Sequence, residues 1–357
     1  MNRSGRHGRA RRAVRHDGHA IGLDLGATSV RAAALSVKSR DGELQVHTKT
    51  LGGVPLAPGT VVNGEVVDGA ALTSALKTLW KAYDIGSDDV ILGVANPQVL
   101  VRELSIPDLD PHQRARALPF QAKDVIAMPL EQVVLDFAPL GTSTSDGQLT
   151  DGLLVASPRE PVISAIKAVE AAGLTVVRVD LSSFALLRSS ADGHFGVEVV
   201  IDLGAHLTTI VVHEHGVPKL VRTVARGGEE LTAKLAERLE LSLGVAEDAK
   251  RADGLTSPGE VSPVLKELVA PLLADIRSSV NYYRSSQPGA RIERVSLTGR
   301  AAALTGLDIA LSMQLDVPAE AVSPTRLLEP PGRQTSTASD EGWATALSVG
   351  LAMGAVA

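Results

Sequence analysis

One pattern of apolar and polar positions occurs twice along this chain. Residues 21–31 have the sequence IGLDLGATSVR, and residues 199–210 have the sequence VVIDLGAHLTTI. Each is an apolar run that ends in Asp-Leu-Gly-Ala, passes through small or polar residues, and continues as a second apolar run. The pattern predicts two β-hairpins, each with a glycine-containing turn at a strand end.

Apolar periodicity predicts alternating strands and helices after the first turn. Leu72, Leu76 and Leu79 share one helical face within 69–83. Asp110 followed by Pro111 predicts the start of a helix over 111–126, which Pro119 should kink. Further helices are expected over 160–172 and 182–190, and a polar loop over 141–152. Strands are expected over 21–35, 44–51, 60–67, 90–106 (as two strands), 133–140, 153–157 and 175–179.

The second half begins the pattern again. It predicts a strand meander over 197–202, 208–213 and 218–224, a strand over 295–298, and helices over 228–241, 244–252, 260–286 and 342–357. Pro263 and Pro271 predict a break in the helix over 260–286. The Pro/Ser/Thr-rich stretch 329–341 is expected to be disordered.

Composition narrows the class of protein. The 357 residues are 44% hydrophobic, carry a net charge of −6 and include no cysteine, which excludes disulfides, thiolate metal sites and a cysteine nucleophile and argues against nucleic-acid binding. No apolar run is long enough for a membrane span. Residues 1–16 hold six arginines and no acid, which fits a disordered tail or a weak anchor on an anionic membrane and excludes a secretory signal.

The two turns carry the candidate chemistry. A glycine turn lets backbone N–H groups approach a phosphate closely, and a neighbouring aspartate can hold a metal ion through water. The first turn offers Asp24, Gly26, Thr28 and Ser29. The second offers Asp202, Gly204 and Thr208. Two such turns that face each other would hold one nucleotide from both sides.

An order of three strands followed by helices occurs twice, which indicates a duplicated domain. This arrangement resembles the actin-like ATPase superfamily. Within it the chain is similar to the PilM family of type IV pilus assembly proteins, which are related to the division protein FtsA. The segments that carry this resemblance are LSIPDLD, AMPLEQVVLDF (127–137), VDLSSFALLR (179–188), ARGGEELT (225–232) and IRSSVNYYRS (276–285). Sugar kinases and Hsp70 chaperones lack the second of these.

The resemblance implies an α/β, actin-like (ribonuclease H-like) fold with duplicated core domains. After a basic tail over 1–20, core domain 1 would comprise 21–89 and 157–195, with an FtsA-like small α/β subdomain inserted over 90–156. Core domain 2 would comprise 196–223 and 294–357, with a helical insertion over 224–293.

The resemblance also implies a site for ATP and Mg²⁺. Asp24 and Asp202 would hold the metal through water. The implied nucleotide-binding residues are Asp24, Gly26, Ala27, Thr28, Ser29, Arg31, Asp202, Gly204, Ala205, Thr208, Gly227, Gly228, Glu229, Gly299 and Arg300. Arg31 and His206 fit solvent-facing positions as well as phosphate contacts, and Glu229 and Glu230 fit either ribose acceptors or ordinary first-turn acids.

Two residues depart from the family pattern. Arg300 stands where the adenine-side loop usually has a second glycine, so its side chain would crowd the base or stack on it. Ser182 stands where the family has a glutamate that could position the attacking water, so no catalytic residue is assigned. We therefore expect nucleotide binding rather than efficient hydrolysis.

The function implied is that of a cytoplasmic scaffold at the inner face of the cell membrane. It would bind the cytoplasmic N-terminal peptide of a bitopic PilN-like membrane protein, in a groove between the inserted subdomain and core domain 1, and meet other pilus platform and motor components. Alternatives are an FtsA-like division protein, which should end in an amphipathic membrane helix, and a small-molecule kinase, which should carry a D-L-G-G-T loop where this chain has D-L-G-A-T.

Overall fold

The computed structural model describes residues 19–40, 43–142, 149–322 and 345–354. The strands are β1 (His19–Leu25), β2 (Ser29–Arg40), β3 (Glu43–Pro55), β4 (Val61–Val62), β5 (Glu65–Val66), β6 (Asp89–Val94), β7 (Leu100–Pro107), β8 (Val133–Thr142), β9 (Leu149–Pro158), β10 (Thr175–Leu181), β11 (Val197–Leu203), β12 (Thr208–Glu214), β13 (Val217–Val224), β14 (Arg294–Thr298) and β15 (Ala319–Ala321). The helices are α1 (Gly69–Tyr83), α2 (Pro111–Ala122), α3 (Arg159–Ala171), α4 (Ser182–Ser190), α5 (Gly228–Arg238), α6 (Leu243–Asp253), α7 (Val261–Ser286), α8 (Leu307–Leu315) and α9 (Ala346–Met353), with 3-10 turns at Leu130–Gln132 and Arg300–Ala303.

Two five-stranded sheets repeat one arrangement. The first has the order β10-β6-β1-β2-β3 and the second the order β13-β12-β11-β14-β15. In each, three consecutive strands form an antiparallel meander, and the first of them also pairs in parallel with a later strand, β6 or β14. The duplication expected from the repeated pattern is therefore present.

The apolar faces of the helices are buried, as the spacing of their residues predicts. Leu72, Leu76 and Leu79 of α1 pack under the first sheet, and the carboxylate of Asp68 caps α1 by accepting from the N–H groups of its first turn. Helix α9 lies against β1, where a side chain at Gly22 would overlap the carbonyl of Ser348. The described part of the predicted last helix is thus buried in the first sheet's packing.

The inserted segment forms a three-stranded antiparallel sheet of order β7-β9-β8. One face packs on α2 through Leu118, Ala122 and Phe137. The other face meets Leu181 of β10 and Val221 of β13, so the small sheet contacts both large sheets.

The structure corrects several predicted boundaries. Helix α7 runs unbroken through Pro271. Pro263 lies in the first turn of α7, where backbone N–H groups have no acceptor within the helix, so the N–H that proline lacks is not needed there. Residues 149–152, predicted as loop, belong to β9 because they pair with β7 and β8. Helix α2 ends at Ala122 instead of 126, and 60–67 forms two short strands. The basic tail over 1–18, residues 143–148 and the stretch 329–341 lie outside the described residues.

Candidate functional site

The two repeated turns have the same backbone geometry. In the first, the N–H of Gly26 donates to the carbonyl of Ser29 at 3.1 Å, and in the second the N–H of Gly204 donates to the carbonyl of Leu207 at 2.9 Å. Each aspartate lies on the strand two residues before its turn glycine. The same spacing therefore places Asp24 and Asp202 at equivalent strand ends.

The turns meet at one cleft. It is lined by Asp24, Leu25, Gly26, Ala27, Thr28, Arg31, Val61, Gly64, Gly93, Val94, Ala95, Ala165, Ser182, Asp202, Gly204, Ala205, His206, Leu207, Thr209, Gly299, Arg300 and Leu347. The lining thus combines both turns, β6, the start of α4 and the loop after β14.

Two buried carboxylates give the cleft its electrostatic character. Burial and the charge of Asp24 together raise the pKa of Asp202 to about 7, against the opposing effect of Arg31. Burial also raises the pKa of Asp24, although Arg31 lies 3.4 Å from its carboxylate and acts in the opposite direction. The guanidinium of Arg31 therefore lowers the pKa of both Asp24 and Asp202, and a further positive charge would stabilise the ionised forms of both carboxylates.

The structure brings ten of the predicted nucleotide-binding residues to the cleft wall. These are Asp24, Gly26, Ala27, Thr28, Arg31, Asp202, Gly204, Ala205, Gly299 and Arg300. The remaining five, Ser29, Thr208, Gly227, Gly228 and Glu229, are not among the lining residues. Thr208, for example, uses its hydroxyl to donate to the carbonyl of Arg226.

The Gly227-Gly228 turn braces the second loop. The N–H groups of Gly228 and Glu229 donate to the carbonyls of Gly204 and Ala205 at 2.9 and 3.0 Å. A side chain at Gly227 would overlap the Ala205 carbonyl, so glycine is required for this approach. These donors are consequently occupied by protein carbonyls.

A polar cluster behind the cleft was not predicted from the sequence. Buried Lys250 of α6 donates to the carbonyl of Gly228 at 3.0 Å and also contacts Thr232 and Glu247. These hydrogen bonds lower the pKa of Glu247 to about 2 against the effect of its burial. The cluster fixes α5 to α6, and its sequence signal is only an i, i+3 acid–base pair, which is common on helix surfaces.

The loop after β14 and the start of α4 complete the wall. Gly299 has a φ of 85° and lies so close to Leu203 and Asp202 that a side chain there would clash, which explains the glycine. Arg300 and Ser182 both line the cleft. His206 also lines it, with Nε2 located 2.7 Å from Glu229.

A second groove lies on the inserted subdomain, between α2 and β8. Its lining is Pro111, Arg114, Ala115, Leu118, Pro119, Leu130, Val133, Val134, Leu135, Asp136, Phe137, Pro139 and Arg159. Strand β8 is an edge of its sheet, and the buried Nε of Arg114 has no hydrogen-bond partner. Arg159, the first residue of α3, also lines this groove.

Val94 and Leu104 do not line this groove. Val94 faces the cleft between the turns, and Leu104 packs against the cluster beneath α2. Among the described residues, none of the helices has the length and apolar character that a bilayer crossing requires.

The duplicated sheets with a cleft between paired turns define an actin-like protein. Solved structures share this fold at low sequence identity. MreB5 of Spiroplasma citri bound to AMPPNP matches with a TM-score of 0.54 and 12% identity, covering 94% of this chain and 95% of that one. The cell division protein FtsA of Streptococcus pneumoniae is 26% identical over 273 residues, which is 68% of this chain and 57% of that relative's length.

A narrower assignment comes from the family comparison. The family model described as type IV pilus assembly protein PilM matches residues 22–356. A solved PilM-PilN type IV pilus biogenesis complex matches with a TM-score of 0.80 and 28% identity, covering 95% of this chain and 98% of that chain. The chain therefore belongs to the PilM family of type IV pilus assembly proteins.

Proposed function

We propose that this chain binds a magnesium–nucleotide complex, with ATP as the nucleotide, in the cleft between the two turns. The observation that carries the proposal is the meeting of Asp24 and Asp202 at the ends of equivalent strands, beside two glycine turns. The two large sheets would be the cores of the domain division expected from the sequence.

The residues present fit a divalent cation. Two buried carboxylates share one arginine, and burial raises the pKa of both, so a bound cation would favour their ionised forms. Among the described residues no group of three or more His, Asp or Glu is placed to hold a metal. Asp24 and Asp202 would therefore hold Mg²⁺ through water, and the ion would neutralise phosphate charge when bound.

Calorimetry with ATP, with and without Mg²⁺, tests this proposal. We expect saturable binding that requires the metal ion. If the folded protein shows no heat of binding with ATP and Mg²⁺ in excess, the cleft has another function.

We further propose that bound ATP is hydrolysed only at background rate. Ser182 is the first residue of α4 and lines the cleft where an acid would position water. Its hydroxyl is short and weakly basic. A steady-state rate of roughly 1 per second or more would contradict this assignment.

We also infer that the groove between α2 and β8 binds the N-terminal cytoplasmic peptide of a PilN-like bitopic membrane protein. The solved complex that resembles this chain contains PilM and PilN, which supports such a partner. The free edge of β8 can pair with an extended peptide, and the unpartnered Nε of Arg114 can donate to a peptide oxygen.

Placing a charge in the groove tests the peptide proposal. Val134 lies on β8 at the groove and is 40% exposed, so Val134→Glu should fold and lower peptide affinity at least about tenfold. Val177, which is 48% exposed on the edge strand β10, provides the matched control Val177→Glu. Equal affinities of the two variants for a synthetic partner peptide would place the peptide elsewhere.

The inserted sheet offers a route between the two sites. Val221 of β13 packs against the face of the inserted sheet that is opposite α2, and Lys219 of β13 donates to Glu103 of β7 at 2.7 Å. We propose that these contacts relate nucleotide state to partner binding, as a scaffold of the pilus assembly platform requires.

A further inference from the structure

The exposed side of α2 carries two cationic side chains and one aromatic ring. Arg116 and Phe120 are four residues apart, and Lys123 follows three residues later, so all three lie on one helical face. All three are exposed, whereas Leu118 and Ala122 on the opposite face are buried. We call the set of Arg116, Phe120 and Lys123 the outer face of α2.

Phe120 is the exceptional member of this face. It is 80% exposed, and the chain contains only four phenylalanines. A single exposed apolar residue is ordinary in itself. Here, however, cations flank the ring, and no acid lies between Asp110 and Asp124 although the whole chain carries a net charge of −6.

We propose that the outer face of α2 contacts the surface of an anionic lipid bilayer. An aromatic ring flanked by cations suits the boundary between headgroups and acyl chains, because the ring enters that boundary while the cations pair with anionic lipids. A protein partner would need a larger apolar area than one ring on a twelve-residue helix supplies.

The position of this face relative to the groove supports the same occupant. Arg114, Leu118 and Pro119 of α2 line the groove, so one helix presents both surfaces. A peptide anchored in the membrane would hold α2 near the bilayer and raise the effective concentration of lipid at its outer face. This step rests on the proposed peptide binding, whereas the charge and exposure of the face do not.

A site-specific label tests the proposal directly, because the natural chain has no cysteine. Gln113 is exposed one turn before Arg116 and about two turns before Phe120, and Gln113→Cys can carry an environment-sensitive fluorophore while Phe120 stays in place. Ser74→Cys on the exposed side of α1 gives a matched control. The full chain is mixed with vesicles of phosphatidylcholine, with or without phosphatidylglycerol.

We expect a blue shift at position 113 with the anionic vesicles only, and none at position 74. High salt should abolish the shift, because it screens exposed charges. Arg116→Gln with Lys123→Gln should raise the lipid concentration at half-maximal shift by roughly thirtyfold, and Phe120→Ser should reduce the shift itself.

Three outcomes would overturn the proposal. The first is an equal response at both labels, which would assign binding to another part of the chain. The second is an equal response to neutral vesicles. The third is a response to the partner peptide but to no vesicle, which would assign the face to the partner protein. Calorimetry of the peptide without lipid tests the groove separately, so failure of one proposal is distinguishable from failure of the other.

Discussion

The two turns share a backbone but differ in charge. Asp24 pairs across its hairpin with Arg31, whereas Asp202, in the same register of the second hairpin, pairs with Thr209. Burial and the charge of Asp24 raise the pKa of Asp202 to about 7, and Arg31 of the other turn acts in the opposite direction. Duplication supplied the geometry, and divergence left the second carboxylate without its own cation. This is the charge that a bound metal ion would supply.

The turns also differ in what supports them. The carbonyl of Thr28 in the first turn accepts from the N–H of Leu56, which follows β3 of the same sheet. The second turn instead accepts two N–H groups from the start of α5, at Gly228 and Glu229. A change in the helical insertion would therefore reach the second turn first.

Removing both carboxylates should have the largest effect on this comparison. We expect Asp24→Ala with Asp202→Ala to weaken magnesium-dependent ATP binding at least about a hundredfold, or about 2.7 kcal/mol. The unliganded variant should remain folded, because it loses two buried acids whose ionisation is unfavourable. Calorimetry measures the affinity.

The control for this variant is Asp88→Ala with Asp248→Ala. Both residues are exposed, and the same number of aspartates is replaced by alanine. Unchanged ATP affinity in the folded Asp24/Asp202 variant would exclude these carboxylates from the site.

The pH dependence of the free energy of unfolding tests the raised pKa of Asp202 in the second turn. Since the folded pKa of Asp202 is about 7 and the unfolded value is near 3.8, the folded state binds the extra proton between these values. The free energy of unfolding should therefore fall as pH rises from about 4 to 7, by on the order of 2–4 kcal/mol. Urea unfolding at several pH values measures this slope.

Asp202→Asn should flatten that slope, and Asp24→Asn should also flatten it, because it removes a buried carboxyl whose own pKa is raised and a charge that raises the pKa of Asp202. Glu247 contributes a slope of opposite sign, because its pKa is lowered from 4.5 to about 2, so the effect of Asp202 is measured above about pH 5, where the contribution of Glu247 is constant. A slope of equal size in Asp202→Asn would show that other groups cause it.

The sequence predicted the turns well because their signal is local. Strand, Asp-Leu-Gly and strand lie within a dozen residues, and their repetition identified both halves of the cleft. The bracing of the second turn depends on Gly228 and Lys250, which are 24 and 46 residues beyond Gly204 and carry no local signal. Helix α7 was predicted to break because Pro271 is unfavourable locally, yet its buried face packs continuously.

Substituting one glycine in each half of the chain compares how much the contacts that support each turn contribute to stability. A Cβ at Gly227 would overlap the carbonyl of Ala205, so Gly227→Ala should destabilise the protein by about 2–3 kcal/mol. A Cβ at Gly26 would lie 2.9 Å from the carbonyl of Ser29, and Gly26→Ala should cost about 1 kcal/mol. Urea unfolding measures both, with Gly193→Ala, whose Cβ would meet no atom within 4 Å, as the control. A larger loss at Gly26 would reverse the comparison.

The substitution with the smallest expected effect makes the two turns alike at one position. Counting from each aspartate, His206 occupies the place of Thr28, so His206→Thr copies the first turn into the second. The lost contact between Nε2 and Glu229 is partly exposed, with the two side chains 27% and 51% accessible, so stability should fall by less than about 1 kcal/mol. Because that contact directs the ring towards α5, ATP affinity should change less than about threefold. Calorimetry and urea unfolding of the same sample measure both quantities. A tenfold loss of affinity at nearly unchanged stability would instead show that His206 contacts phosphate, and the difference between the turns would then include ligand recognition as well as support.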